Sequence, residues 1–261
     1  MLEELEFSKY KRFFAFGCSF TRYIWATWAD ILAQEMPEAQ YYNFGREGSG
    51  NLMISTRIAE ANNRFNFCET DLVAVMFSTF TREDRWVNGN WLCTGNIFNQ
   101  RIYSKEFVTN FADEIGYLIR DCALIDLSSD YLKNKKSNSI LLTSASFEDN
   151  FEGPDKDSLN PYNVLHVYSN LKNKIHTITQ LHEDLRTGLG FDYIMNGKSF
   201  HDAHPTPKQH LNYLTGLGIN VSNKSKEYAI LQDQLLRNCK TYEEIILNSF
   251  QNLPKPPTDL F

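Results

Sequence analysis

Three stretches of this 261-residue chain hold side chains suited to chemistry on a carbonyl. The first is FGCSFT, Phe16–Thr21. A serine closely follows a short apolar run, and Gly17 lets the chain turn sharply between them. If the run is a strand, Ser19 presents its hydroxyl at the strand end beside a helix N-terminus, whose positive end favours a developing oxyanion. The same residues also suit plain helix capping by Ser19 or Thr21. The second stretch is NFGREGSGN, Asn43–Asn51. Gly45, Gly48 and Gly50 let backbone N–H groups face outward unobstructed, as an oxyanion donor requires and as any glycine turn allows. No GK[ST] follows and the full G-x-G-x-x-G pattern is missing, so it is not a nucleotide phosphate loop. The third is HDAHPTPKQH, His201–His210. Asp202 stands two residues before His204, and an aspartate so placed can orient an imidazole that deprotonates a serine.

Other residues compete for roles. Cys18 adjoins Ser19, but neighbouring side chains in an extended turn point apart, so Cys18 is expected to face the core. His201, Asp202, His204 and His210 also read as a metal cluster, although zinc needs three or four converging ligands with an outer shell. His210 falls on the following helix as a structural hydrogen-bonder, and His166, His176 and His182 fall on a helix surface. Arg82 and Arg85 follow a strand end, where an arginine could hold a carboxylate or phosphate of a substrate. The alternative is ion pairing to Glu83 or Asp84.

The elements that must position these residues alternate in type. RFFAF (Arg12–Phe16), AQYYNF (Ala39–Phe44), LVAVMF (Leu72–Phe77) and SILLTSA (Ser139–Ala145) read as buried strands, and FDYIMNG as a last one. Apolar residues at helical spacing predict helices over about Tyr23–Glu35, Asn51–Asn63, Phe107–Leu132, Val164–Leu181 and Glu227–Phe250. A further helix runs from Pro207 to about Leu217, capped by Thr206. HDAHPTP reads as a loop. Residues 84–104 and 148–161 read as insertions in one domain of residues 1–250, and residues 251–261 as a Pro-rich tail. Strands alternating with helices imply a parallel, three-layer α/β sheet, whose sites form at the carboxyl ends of its strands.

Taken together, the order of the three stretches resembles the SGNH/GDSL hydrolase superfamily. FGCSFT looks like its first block, with Cys18 where the common form has aspartate; NFGREGSGN looks like the second, and DAHPT like the last, in a one-residue-spaced form. A variant branch found in bacterial and phage proteins, with FGCSFT and a third block rich in serine and threonine, is the most similar. The resemblance implies a flavodoxin-like α/β/α sandwich with a parallel sheet of about five strands. It implies Ser19 as nucleophile, His204 as base and Asp202 as its orienter, with Gly48 as an oxyanion donor. It implies hydrolysis of a carboxylic ester with no metal and no cofactor, and it favours the dyad reading of Asp202 and His204 over the metal one. The third block departs: FSTFTREDRW (Phe77–Trp86) has no asparagine, and Ser78 or Thr79 could supply that donor as a hydroxyl, with Arg82 beside them. Losing one oxyanion donor costs about 10²–10³ in turnover. Two alternatives therefore stand beside the esterase: a binding or structural module with weak or no turnover, and an O-acyltransferase. Trp86, Trp91 and Phe98 could stack on sugar rings, which points the substrate towards O-acetylated carbohydrate.

Bulk properties narrow the field. Hydrophobic residues make up 42% and charged residues 22%, with a formal charge of −6. With no basic run, nucleic acid is not an expected partner. No apolar stretch approaches the roughly 20 residues of a membrane span, and MLEELEFSKYKR has no apolar signal region. Five scattered cysteines without a C-x-x-C pair fit reduced thiols in a cytoplasmic setting. The expected partner is a small-molecule or glycan ester.

Overall fold

The computed structural model describes residues 5–99, 102–143, 166–171, 190–254 and 259–261. At its centre, β2 (Gln40–Asn43), β1 (Arg12–Phe16), β3 (Asp71–Phe77) and β6 (Asn138–Thr143) lie side by side in that order, all parallel. The period-2 geometry of a strand divides its side chains between two faces. On one face Phe13, Ala15, Leu72, Ala74, Met76, Ile140 and Leu142 pack against α1 (Trp28–Ala33), α5 (Pro207–Gly216) and α6 (Asn223–Asn238). On the other, Phe14, Phe16, Val73, Val75, Phe77 and Leu141 pack against α2 (Asn51–Phe65) and α4 (Glu114–Lys133). The α/β/α sandwich therefore follows from strands that are apolar on both sides. Every residue of β3 is buried.

Four differences from the sequence-based elements have physical causes. The first helix begins at Trp28 rather than Tyr23, because Thr27 is extended and caps it: Thr27 N donates to Asp30 Oδ2 at 2.8 Å. The preceding Tyr23–Ala26 is thereby released for other work. The helix expected over Phe107–Leu132 is two, α3 (Lys105–Phe111) and α4, because Asp113 caps the second by accepting from Gly116 N at 2.6 Å. The helix expected over Glu227–Phe250 is also two, α6 and α7 (Tyr242–Asn248). Lys240 between them gives its carbonyl to Ile194 N at 2.8 Å, and Thr241 caps the second. Finally, FDYIMNG is a strand, β7 (Phe191–Met195), but it pairs antiparallel with β8 (Lys198–Asp202) in a hairpin of its own. His201 and Asp202 thus lie in a strand rather than in the expected loop. Tyr193 in that hairpin shares a small core with Trp25, Leu236, Cys239 and Ile245.

The excursion after β3 is a second antiparallel hairpin, β4 (Arg82–Val87) with β5 (Asn90–Asn96). The expected insertion at 148–161, His176 and His182, and the expected helix beyond Leu171, lie outside the described residues. No helix among the described residues is long and apolar enough to cross a membrane. All five cysteines are free thiols.

Candidate active site

Ser19 sits one turn past the end of β1, and His204 two residues past the end of β8. The route between these elements explains how residues 185 positions apart meet. Gly17 passes so close to β3 that a Cβ there would lie 2.8 Å from the Met76 carbonyl, which fixes the turn that carries Ser19. Trp25, fully buried, donates from its indole Nε1 to the Pro205 carbonyl at 2.8 Å and pins the histidine segment to the same turn. Thr206 then caps α5 with Gln209, Pro207 standing in the first helical turn as the sequence suggests.

The resulting relay is continuous. Ser19 Oγ lies 2.8 Å from His204 Nε2, and His204 Nδ1 lies 2.5 Å from Asp202 Oδ1. With Nδ1–H donating to the carboxylate, Nε2 carries the lone pair that accepts the Ser19 hydroxyl. Asp202 Oδ1 also accepts from the His204 backbone N–H at 3.0 Å. Ser19 is 4% exposed, Asp202 is buried and the His204 side chain 29% exposed, so the imidazole reaches a solvent-accessible edge. Burial pushes the Asp202 carboxyl upward, but the hydrogen bonds from His204 and Tyr23 outweigh it and hold the group below the usual carboxylate range.

Two tyrosines complete the cluster, and neither is singled out by the sequence. Tyr23 donates to Asp202 Oδ2 at 2.5 Å, and Tyr193 to the same oxygen at 3.2 Å. The Tyr23 ring stacks on the His204 imidazole, with centroids 3.9 Å apart and planes at 20°. Burial first, then the bond to Asp202, pushes the Tyr23 phenol well above its ordinary value, so it is a permanent donor. An open cleft of about 250 Å³ borders Tyr23 and is lined by Arg22, Gly45, Arg46, Glu47 and Phe250.

The other candidates fall into place around this centre. Gly48 adopts φ +73°, a left-handed conformation that a side chain strains, and a Cβ there would meet the Cys93 carbonyl of β5 at 2.6 Å. The Ser78 backbone N–H is occupied, donating to Asn51 Oδ1 at 2.8 Å, whereas the buried Ser78 Oγ has no partner among the described residues. Thr79 Oγ1 accepts from Arg82 Nε at 3.3 Å, and Arg82 Nη1 reaches the Ser49 carbonyl at 3.2 Å. Arg82 thus bridges the second and third stretches through neutral acceptors. Arg85 instead pairs with Glu83 at 2.7 Å and lies over the Phe107 ring, which is the ion-pair alternative for that residue. Cys18 is fully buried, as its place in the turn suggests. Among the described residues Ser19 caps no helix; Thr27 does that work for α1. Among the described residues no three histidine, cysteine, aspartate or glutamate side chains converge as a metal site needs. His201 turns away to Asp192 at 2.7 Å, and His210 is buried in α5.

No protein-family model matches the chain, and no curated protein matches it. Among solved structures it is similar to a lipolytic protein of the G-D-S-L family from Veillonella parvula, at 13% identity over 80% of this chain and 97% of that one, with a TM-score of 0.43. It is also similar to a GDSL-like lipase from Bacteroides thetaiotaomicron, at 14% identity, 85% and 88% coverage and a TM-score of 0.38. A third is an alpha/beta hydrolase enzyme from the metagenome of Lake Arreo, Spain, at 14% identity, 81% and 97% coverage and a TM-score of 0.42. These likenesses are distant.

Proposed function

We propose that this chain is a serine esterase of the SGNH/GDSL type, hydrolysing a carboxylic ester. The observation that carries the reading is the unbroken Ser19–His204–Asp202 relay, at 2.8 and 2.5 Å. In this reading Ser19 Oγ attacks the ester carbonyl carbon as its proton passes to His204 Nε2. Asp202 holds the imidazole in the required tautomer and balances the imidazolium that forms. Collapse of the tetrahedral intermediate expels the alcohol, which takes that proton from His204. Water, activated by the same histidine, then hydrolyses the acyl-serine. The cycle needs no cofactor. Gly48 N–H and the Ser19 backbone N–H are proposed to stabilise the oxyanion, with the Ser78 or Thr79 hydroxyl in place of the missing asparagine. Arg82, whose hydrogen-bond acceptors are the neutral Thr79 hydroxyl and Ser49 carbonyl, is proposed to contact the substrate.

We further propose an O-acetylated carbohydrate as substrate. Supporting this, Trp86 is half exposed and stands edge-to-face with Trp91, centroids 5.7 Å apart, on the β4–β5 hairpin. That hairpin is tied to the Gly48 loop, since Arg46 donates to the Trp91 carbonyl at 2.9 Å. The hairpin is thereby joined to Arg46, which lines the cleft, and its exposed tryptophan pair is proposed as the sugar-stacking surface. A second reading, a binding or structural module of this fold with weak or no turnover, is favoured by the third stretch, FSTFTREDRW, which has no asparagine to donate to an oxyanion.

Turnover of p-nitrophenyl acetate by the wild type and by Ser19→Ala and His204→Ala tests the esterase. Both variants are expected to lose about 10³-fold or more; a full rate in either contradicts the roles. Acetate release from acetylated xylan, reduced in Trp86→Ala with p-nitrophenyl acetate turnover intact, tests the substrate.

A further inference from the structure

We infer that Tyr23 is a positioning residue of the relay, holding Asp202 and His204 simultaneously; this rests on the esterase reading. The carboxylate of Asp202 has two oxygens. Oδ1 faces His204, and Oδ2 takes the Tyr23 hydroxyl at 2.5 Å. The same side chain lays its ring flat against the imidazole at 3.9 Å. One residue therefore fixes the rotation of the carboxylate and the plane of the base. Tyr23 is itself braced: Trp25 packs edge-on against it, centroids 4.7 Å apart, and the Trp25 indole bonds the backbone immediately after His204. The whole assembly, Trp25 edge-on to Tyr23 and Tyr23 stacked on His204, is one packed unit spanning the turn after β1 and the end of the β7–β8 hairpin. The late start of α1, at Trp28, is what frees Tyr23 and Trp25 to form it.

This arrangement also has an electrostatic consequence. A phenol donating to Oδ2 draws negative charge away from Oδ1 and so weakens the pull of Asp202 on the imidazolium. Removing the hydroxyl returns that charge to the imidazole side and favours the imidazolium, which cannot serve as base. The ionisable and charged groups around the imidazole are Asp202 and Tyr193 from the β7–β8 hairpin and Tyr23 from the turn after β1. His210 of α5 feels the charge of His204 but is itself held neutral by burial, and Glu47 acts on both tyrosines from the glycine loop. Arg22 and Arg46 line the cleft beside Tyr23. Of these, Tyr23 alone both donates to the carboxylate and stacks on the ring.

The test is the rate of Ser19 labelling by a fluorophosphonate probe as a function of pH, in the wild type and in Tyr23→Phe, Tyr23→Leu and Tyr193→Phe. Labelling needs the neutral imidazole, so its acid limb reports the base. Tyr23→Phe keeps the ring and loses the donor; it is expected to label about 10–100-fold more slowly with its acid limb moved to higher pH. Tyr23→Leu also loses the stacking and is expected to be slower still. Tyr193→Phe, which removes the longer bond, is expected to move the limb in the same direction by less. The limb's midpoint is read from the folded fraction, so partial unfolding of a variant does not mask it. A Tyr23→Phe profile with the wild-type midpoint, at whatever rate, overturns the positioning role while leaving the esterase standing. A wild type that is folded and does not label at Ser19 overturns the esterase, and the positioning role with it.

Discussion

Asp202 is the most heavily bonded residue of the site, accepting from the His204 ring and backbone and from two tyrosines. Its folded-state pKa is depressed, so its contribution to stability is present above the unfolded value of about 3.9 and is lost as pH falls through the folded value. Asp202→Asn is expected to lower ester turnover by about 10⁴-fold, the cost of the wrong tautomer, while the far-UV spectrum stays unchanged; turnover within tenfold of wild type contradicts the role. His210 behaves oppositely to a salt-bridged histidine. Burial, with a smaller push from His204, lowers its pKa to about 3. The folded imidazole stays neutral while the unfolded chain takes up a proton near pH 6.5, so stability falls as pH drops below that point, by up to about 1.4 kcal/mol per unit. Urea unfolding of His210→Leu is expected to lose about 2 kcal/mol less than the wild type between pH 6.5 and 5; parallel pH dependences contradict it.

At the scale of elements, the loops that shape the site are held by side chains of their neighbours. Asp84 of β4 caps α2, accepting from Gly50 N at 2.8 Å and Met53 N at 2.9 Å. Asp84→Ala is expected to lower the unfolding free energy by about 1–2 kcal/mol, read from chemical denaturation; an unchanged midpoint contradicts the capping role. Gly48→Ala combines a strained φ with a clash against Cys93 O, and a cost of about 1–3 kcal/mol is expected. β3 was legible because a strand buried on both faces is apolar throughout, and α5 because Thr206 and Pro207 mark its start. The start of α1 was not, because Trp25 recurs at helical spacing with Trp28 although its ring serves the site. The three relay residues could be read from their types and order. Tyr23 and Tyr193 could not, because a tyrosine within an aromatic run reads as core until a carboxylate from the far end of the chain is seen against its hydroxyl. The split of residues 227–250 was hidden for a similar reason: its cause, the Lys240 carbonyl bonding β7, is a long-range contact.

At the scale of the whole molecule, the sandwich brings a serine near the start of the chain and a histidine near its end to the same sheet edge. The chain's last residues add to the α2 face. Buried Arg57 donates to Asp259 Oδ1 at 2.9 Å and to the Leu260 carbonyl at 3.2 Å, and the Leu260 side chain enters the core beside Phe14 and Ile58. Leu260→Ala is expected to cost about 2–4 kcal/mol, seen as a lowered thermal midpoint with p-nitrophenyl acetate turnover retained below it; an unshifted midpoint contradicts that packing. The central claim is that this architecture activates one serine out of all those in the chain. Intact mass after treatment with a fluorophosphonate, followed by peptide mapping, tests it most directly. A single adduct on Ser19 that disappears in His204→Ala is the expected result. A folded protein that takes no adduct, or takes it at another residue, would contradict the account.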